Sequence, residues 1–69
     1  MSKNAISVAW EACNLLATQV WNAYVTGEGI QEAKHNQQLL RKWVEYAREN
    51  NIVYNGCYDE YIELNLDII

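Results

Sequence analysis

The sequence predicts a mainly α protein, an antiparallel helical hairpin with a short third helix. Three observations carry this. Residues 5–25 and 30–49 each repeat apolar side chains at helical spacing. Only Gly27-Glu28-Gly29 separates the two stretches, a connection so short that the helices must be antiparallel neighbours. The 69 residues contain no proline, which fits a helix-rich chain.

In the first helix, Ile6, Ala9, Cys13, Leu16, Val20 and Ala23 form one stripe. Trp10, Ala17, Trp21 and Tyr24 widen it on one side, and Val8, Ala12 and Leu15 on the other. Glu11, Asn14, Thr18 and Asn22 make a narrow polar strip, so the apolar face is wider than one partner helix covers. Ser2 or Asn4 can cap the start by accepting a backbone N–H. The glycine after Thr26 closes the end, because it adopts left-handed backbone at little steric cost.

In the second helix the stripe is Ala33, Leu40, Trp43, Val44 and Ala47, with Ile30 at the start and Leu39 and Tyr46 at the margin. Its first half is polar, and the stripe thins there to Ala33 and Gln37. Glu32 near the start and Arg48 near the end suit the helix dipole, and Asn50-Asn51 is a left-handed stop.

The last stretch supports two readings. Asn55-Gly56 between β-prone residues is a hairpin signal, and Ile62, Leu64, Leu66 and Ile68 alternate with polar residues. That gives an α+β alternative with a β-hairpin or strand over residues 52–68. Tyr58, Tyr61, Ile62, Leu66 and Ile69 are also helically spaced, behind Asp59 and Glu60 at a favourable start. The third helix is preferred, because a lone strand pair on two helices leaves open edges.

Size and composition narrow the function. A single small domain spans residues 1–69, with 51% hydrophobic residues, three Trp and five Tyr. That is too apolar for a disordered chain. No run approaches the roughly 18 apolar residues of a membrane span. No cleavage-site pattern follows Met1-Ser2-Lys3-Asn4, so no signal peptide and a cytoplasmic location are expected. The net charge of −4 is unevenly spread: residues 1–48 hold four acids and five bases, residues 49–69 five acids and no base.

Little here supports catalysis. His35 is the sole histidine and lies in a polar stretch without an evident partner. Cys13 and Cys57 are too far apart in sequence for a metal-type pair, and read as buried thiols rather than a bridge. Asp59 and Glu63 fall one helical turn apart, but a chain this short has little room for a cleft that separates their acidities. Gly27-Glu28-Gly29 matches no phosphate-binding pattern. No cofactor and no metal are expected. Lys34, Arg41 and Arg48 share one helix face, read first as a solvated face, second as a stripe neutralised by the acidic tail, and third as a phosphate contact.

The aromatics point to binding, since eight large rings are more than a domain of this size can enclose. The expectation is therefore a small acidic, non-enzymatic interaction protein. It would be an inhibitor or adaptor, of the kind phages and other mobile elements encode, and would occupy a larger protein partner with a basic surface. The candidate partner-binding residues are Trp10, Trp21, Tyr54, Tyr58, Asp59, Glu60, Tyr61, Glu63 and Asp67. A structural homodimer is the alternative, and a weak nucleic-acid contact through the basic stripe ranks third.

Overall fold

The computed structural model describes residues 4–54 and 56–68, with Ile68 as backbone only. Four elements follow in order: α1 (Ala5–Thr26), α2 (Ile30–Glu49), α3 (Asp59–Ile62) and a closing 3₁₀ turn (Leu66–Ile68). The expected hairpin is present, with both helices where the apolar spacing puts them. Asn4 is the cap of α1, its side-chain oxygen accepting from the Ser7 N–H at 2.8 Å. Ser2, the other cap candidate, lies outside the described residues.

Two left-handed glycines make the turn. Gly27, at φ 74°, closes α1 by donating its N–H to the Ala23 carbonyl at 2.7 Å. Gly29, at φ 69°, opens α2. The end of α2 is a Schellman closure on the asparagine pair. Asn51 takes φ 58° and donates to the Arg48 carbonyl, while Ile52 donates to the Ala47 carbonyl at 2.7 Å. Ile52 also packs beside Ala47, the apolar contact that accompanies this motif.

The helix interface is made of small side chains. Ala9, Cys13, Ala17, Val20 and Ala23 of α1 are buried against Ala33, Leu40, Val44 and Ala47 of α2. The rings do not form this interior: Trp10 and Trp43 are half-buried, and Trp21 is 42% exposed. Small residues let the helices approach closely, and that pushes the bulky rings to the rim. Ile6, placed on the stripe by spacing, is 56% exposed, because the buried run begins only at Ala9.

The C-terminal segment corrects the sequence reading in two ways. The β alternative does not form: no strand occurs among the described residues. A turn does close around the Asn-Gly pair, with Cys57 N–H donating to the Tyr54 carbonyl at 3.2 Å and Gly56 at φ 92°. Asn55 itself lies outside the described residues, as does Ile69. The third helix is present but shrinks to the single turn Asp59–Ile62. Tyr58 at φ 67° blocks it upstream, and beyond Glu63 the chain leaves helical geometry to lie along the hairpin.

The tail is therefore a strap. It starts where α2 ends and runs back towards the Gly27–Gly29 turn. Val53 is buried with Ala9 and Ala47 at one end, and Leu66 with Val20, Ala23 and Ala33 at the other. Tyr58, Tyr61 and Ile62 pack on the middle cluster of Cys13, Ala17, Leu40 and Val44. Among the described residues, the strap covers one side of the hairpin and leaves the opposite side bare.

Candidate interaction surface

The strap is held by polar contacts to α2. Gln37 Nε2 donates to the Tyr61 carbonyl at 3.1 Å and to the Leu64 carbonyl at 2.8 Å. These are carbonyls for which the short α3 and the extended stretch after it supply no helical partner. Arg48 Nη2 donates to the Cys57 carbonyl at 3.3 Å and to the Asp59 carboxylate. Lys34 pairs with Asp67 at 2.5 Å. The basic stripe of α2 is thus largely not a solvated face. The tail lies across it, and two of its three bases meet tail carboxylates. Arg41 stays exposed between them.

Gln37 supplies a prediction. Two hydrogen bonds at a partly buried position contribute about 1–3 kcal/mol together. Gln37→Ala is expected to lower stability in urea by that amount. Amide exchange should also rise across the strap while the α1–α2 core stays protected. Unchanged exchange at the strap would show that the rings alone hold it.

The nine sequence-predicted site residues separate into three sets. Trp10, Tyr58, Tyr61 and Trp21 form a ladder of rings along the seam between α1 and the strap. Trp10 lies 5.9 Å from Tyr58, Tyr58 6.4 Å from Tyr61, and Tyr61 stands edge-on to Trp21 at 6.4 Å. Tyr24 extends the ladder, stacked on Trp21 at 5.7 Å. Asp59 and Asp67 are engaged with Arg48 and Lys34. Tyr54, Glu60 and Glu63 face solvent, with Tyr54 73% exposed, and the outer part of Trp21 joins them.

The strap face carries more carboxylate than base. Glu45, Asp59 and Glu63 line one groove with Arg41 and Arg48, and Asp67 pairs with Lys34. Asp59 and Asp67 fix the segment, which leaves the exposed glutamates on a positioned scaffold.

The thiols and Tyr58 sit together beneath the ladder. Cys13 is buried and Cys57 half-buried, and both are free. Burial raises the pKa of each above its ordinary value. For Cys13 the neighbouring Cys57 adds to this, and for Cys57 Arg48 opposes it while Asp59 reinforces it. Both therefore stay protonated and are weak nucleophiles near neutrality. The Tyr58 hydroxyl donates to the Asn14 side-chain oxygen. Burial and then the nearby Cys57 and Cys13 push its pKa up to about 12.

No family model matches this chain, and neither the curated proteins nor the solved structures contain a match. Function must then be argued from the surface itself. Among the described residues, no three His, Cys, Asp or Glu side chains are grouped to hold a metal ion. His35 is exposed on the polar half of α2. No described helix is long and apolar enough to cross a membrane.

The bare side of the hairpin was the part least visible in the sequence. Val8 is 39%, Leu15 60% and Tyr46 42% exposed. With Ala5, Leu39, Lys42 and Trp43, Val8 and Tyr46 line an open, mainly apolar groove of about 620 Å³. Towards the turn the same side becomes polar, with Gln19, Asn22, Glu28, Glu32 and Asn36 around a second groove of about 350 Å³. Gln37 and Asn14 were also missed as contact residues. For Gln37 a signal existed: it is an amide standing on an apolar stripe.

Proposed function

We propose that this chain is a small, non-enzymatic protein–protein interaction protein, an inhibitor or adaptor. In this reading it acts in the cytoplasm and docks its strap face on a basic surface of a larger partner. Phages and other mobile elements encode proteins of this size and charge, and that origin belongs to the proposal. The observation that carries it is the division of labour among the tail acids. Asp59 and Asp67 anchor the strap to Arg48 and Lys34, while Glu49, Glu60 and Glu63 stay exposed, as do Tyr54 and Trp21. Exposed carboxylates and rings on an anchored segment suit a basic groove, because little loop ordering remains to be done on binding.

A phosphate-tracking role for Lys34, Arg41 and Arg48 is disfavoured by the same contacts. The strap acids would repel nucleic acid at that stripe.

The test is retention of proteins from extract of the native host, compared with a chain carrying Glu49→Gln, Glu60→Gln and Glu63→Gln. The reading expects one protein retained by the natural chain, weakened by added salt and lost with the triple variant. Retention by both chains, insensitive to salt, would overturn it.

A further inference from the structure

We propose that the bare side of the hairpin docks a second copy of this chain. Two hairpins then pack face to face as a four-helix bundle, about a two-fold axis parallel to the helices.

Shape and area fit this occupant. The molecule is a slab only 15 Å across its thinnest extent. Its bare side is two antiparallel helices, the surface that another antiparallel pair packs against with coiled-coil-like crossing. Helices of this length run about 30 Å and two of them span about 20 Å, so the face offers about 600 Å² per copy. Doubled, that reaches about 1,200 Å², the lower edge of specific interfaces. The dimer should therefore be reversible rather than obligate.

The pattern along the face selects the axis. Apolar groups occupy the half with Val8, Leu39, Trp43 and Tyr46, and amides and carboxylates the half near the turn. An axis parallel to the helices sets like half on like half, with α1 crossing the partner's α2. An axis across the helices would lay the apolar half on the polar one.

Register and charge suit the chosen arrangement. Ala9 packs with Ala47 and Cys13 with Val44, which sets Val8 within about one turn of the level of Tyr46. The axis then seats Val8 near the partner's Tyr46. The more acidic strap faces are turned outward, so the like charges of two −4 chains are kept apart. The cost is that Glu28 and Glu32 of both copies share one end, where water screens them.

Sedimentation equilibrium of the full chain across micromolar to sub-millimolar concentration tests this. The expected result is a mass of twice 8.0 kDa at high concentration, falling to one chain on dilution. Val8→Lys and Tyr46→Lys, both at exposed positions, should keep their helical circular dichroism and weaken association about tenfold or more. A single-chain mass at every concentration would overturn the proposal. So would a dimer with natural affinity in folded Val8→Lys and Tyr46→Lys, which would place the contact elsewhere. Neither result bears on the salt-sensitive strap face, so the two readings fail separately.

Discussion

Leu40→Ala is expected to consume a large part of the stability of the fold. Leu40 is fully buried and is the largest side chain so enclosed, at the centre of the cluster with Cys13, Ala17 and Val44. Removing a buried leucine side chain costs about 2–5 kcal/mol, the transfer loss plus the cavity left behind. The total stability of a domain this size is about 3–10 kcal/mol. Its buried neighbours Cys13, Ala17 and Val44 stand on two long helices, which cannot collapse far into the gap. The cost should therefore lie in the upper half of that range, with a fall in Tm of about 15–30 °C at fixed protein concentration. Val25 is 62% exposed near the end of α1 and serves as the control. Val25→Ala should stay within about 0.5 kcal/mol of the natural chain. Urea or thermal melts of the two variants, followed by circular dichroism, decide the matter. A Leu40→Ala loss below about 1 kcal/mol would mean that the interface is fluid rather than packed.

The hairpin was legible because its signals are local and agree with one another. Apolar spacing, Asn4, the two glycines and the Asn50-Asn51 stop all point to the same two helices, and each can be read without knowing what packs where. The strap was not legible, because its conformation is decided by α1 and α2. Tyr58 at φ 67° is unfavourable by itself, and tertiary contacts, with Trp10 and the Cys13 cluster among them, hold it there. Sequence periodicity gave helix and strand near-equal claims over residues 52–68, and the chain adopts neither for most of that length. The basic stripe is a similar case. Lys34 and Arg48 look like any solvated face until the tail is seen to cross them. The surplus of apolar surface was visible as a total, but its location was not. The rings largely went to the strap seam, and the bare side was left to Val8, Leu15, Leu39, Trp43 and Tyr46.

Tyr58 is where local strain and tertiary contact can be separated by experiment. Its left-handed backbone costs about 1 kcal/mol for a residue with a Cβ. Against that stand a half-buried ring touching Trp10, Tyr61 and two core clusters, and a hydroxyl bonded to Asn14. Tyr58→Phe keeps the ring and loses only the hydroxyl bond, an expected cost of about 1 kcal/mol. Tyr58→Ala keeps the strain and loses the ring, an expected cost of about 3 kcal/mol. Tyr58→Gly loses the ring but relieves the backbone, so it should be more stable than the alanine variant by up to about 1 kcal/mol. That is the reverse of the usual order inside a helix. An alanine variant as stable as the glycine one would remove the case for strain. The alkaline limb of the stability curve tests the same residue by another route. The folded pKa of about 12 lies above the ordinary 10.0, so the fold favours the neutral phenol. The resulting stabilisation is fully present below pH 10 and is lost as pH rises from there towards 12. Phenolate absorbance should show a late ionisation step towards pH 12 that belongs to Tyr58. Tyr58→Phe should remove that late step and flatten this part of the alkaline loss, even though the variant is slightly less stable at neutral pH. If the late step survives in Tyr58→Phe, it belongs to another tyrosine, and the hydroxyl is not what ties the strap to α1.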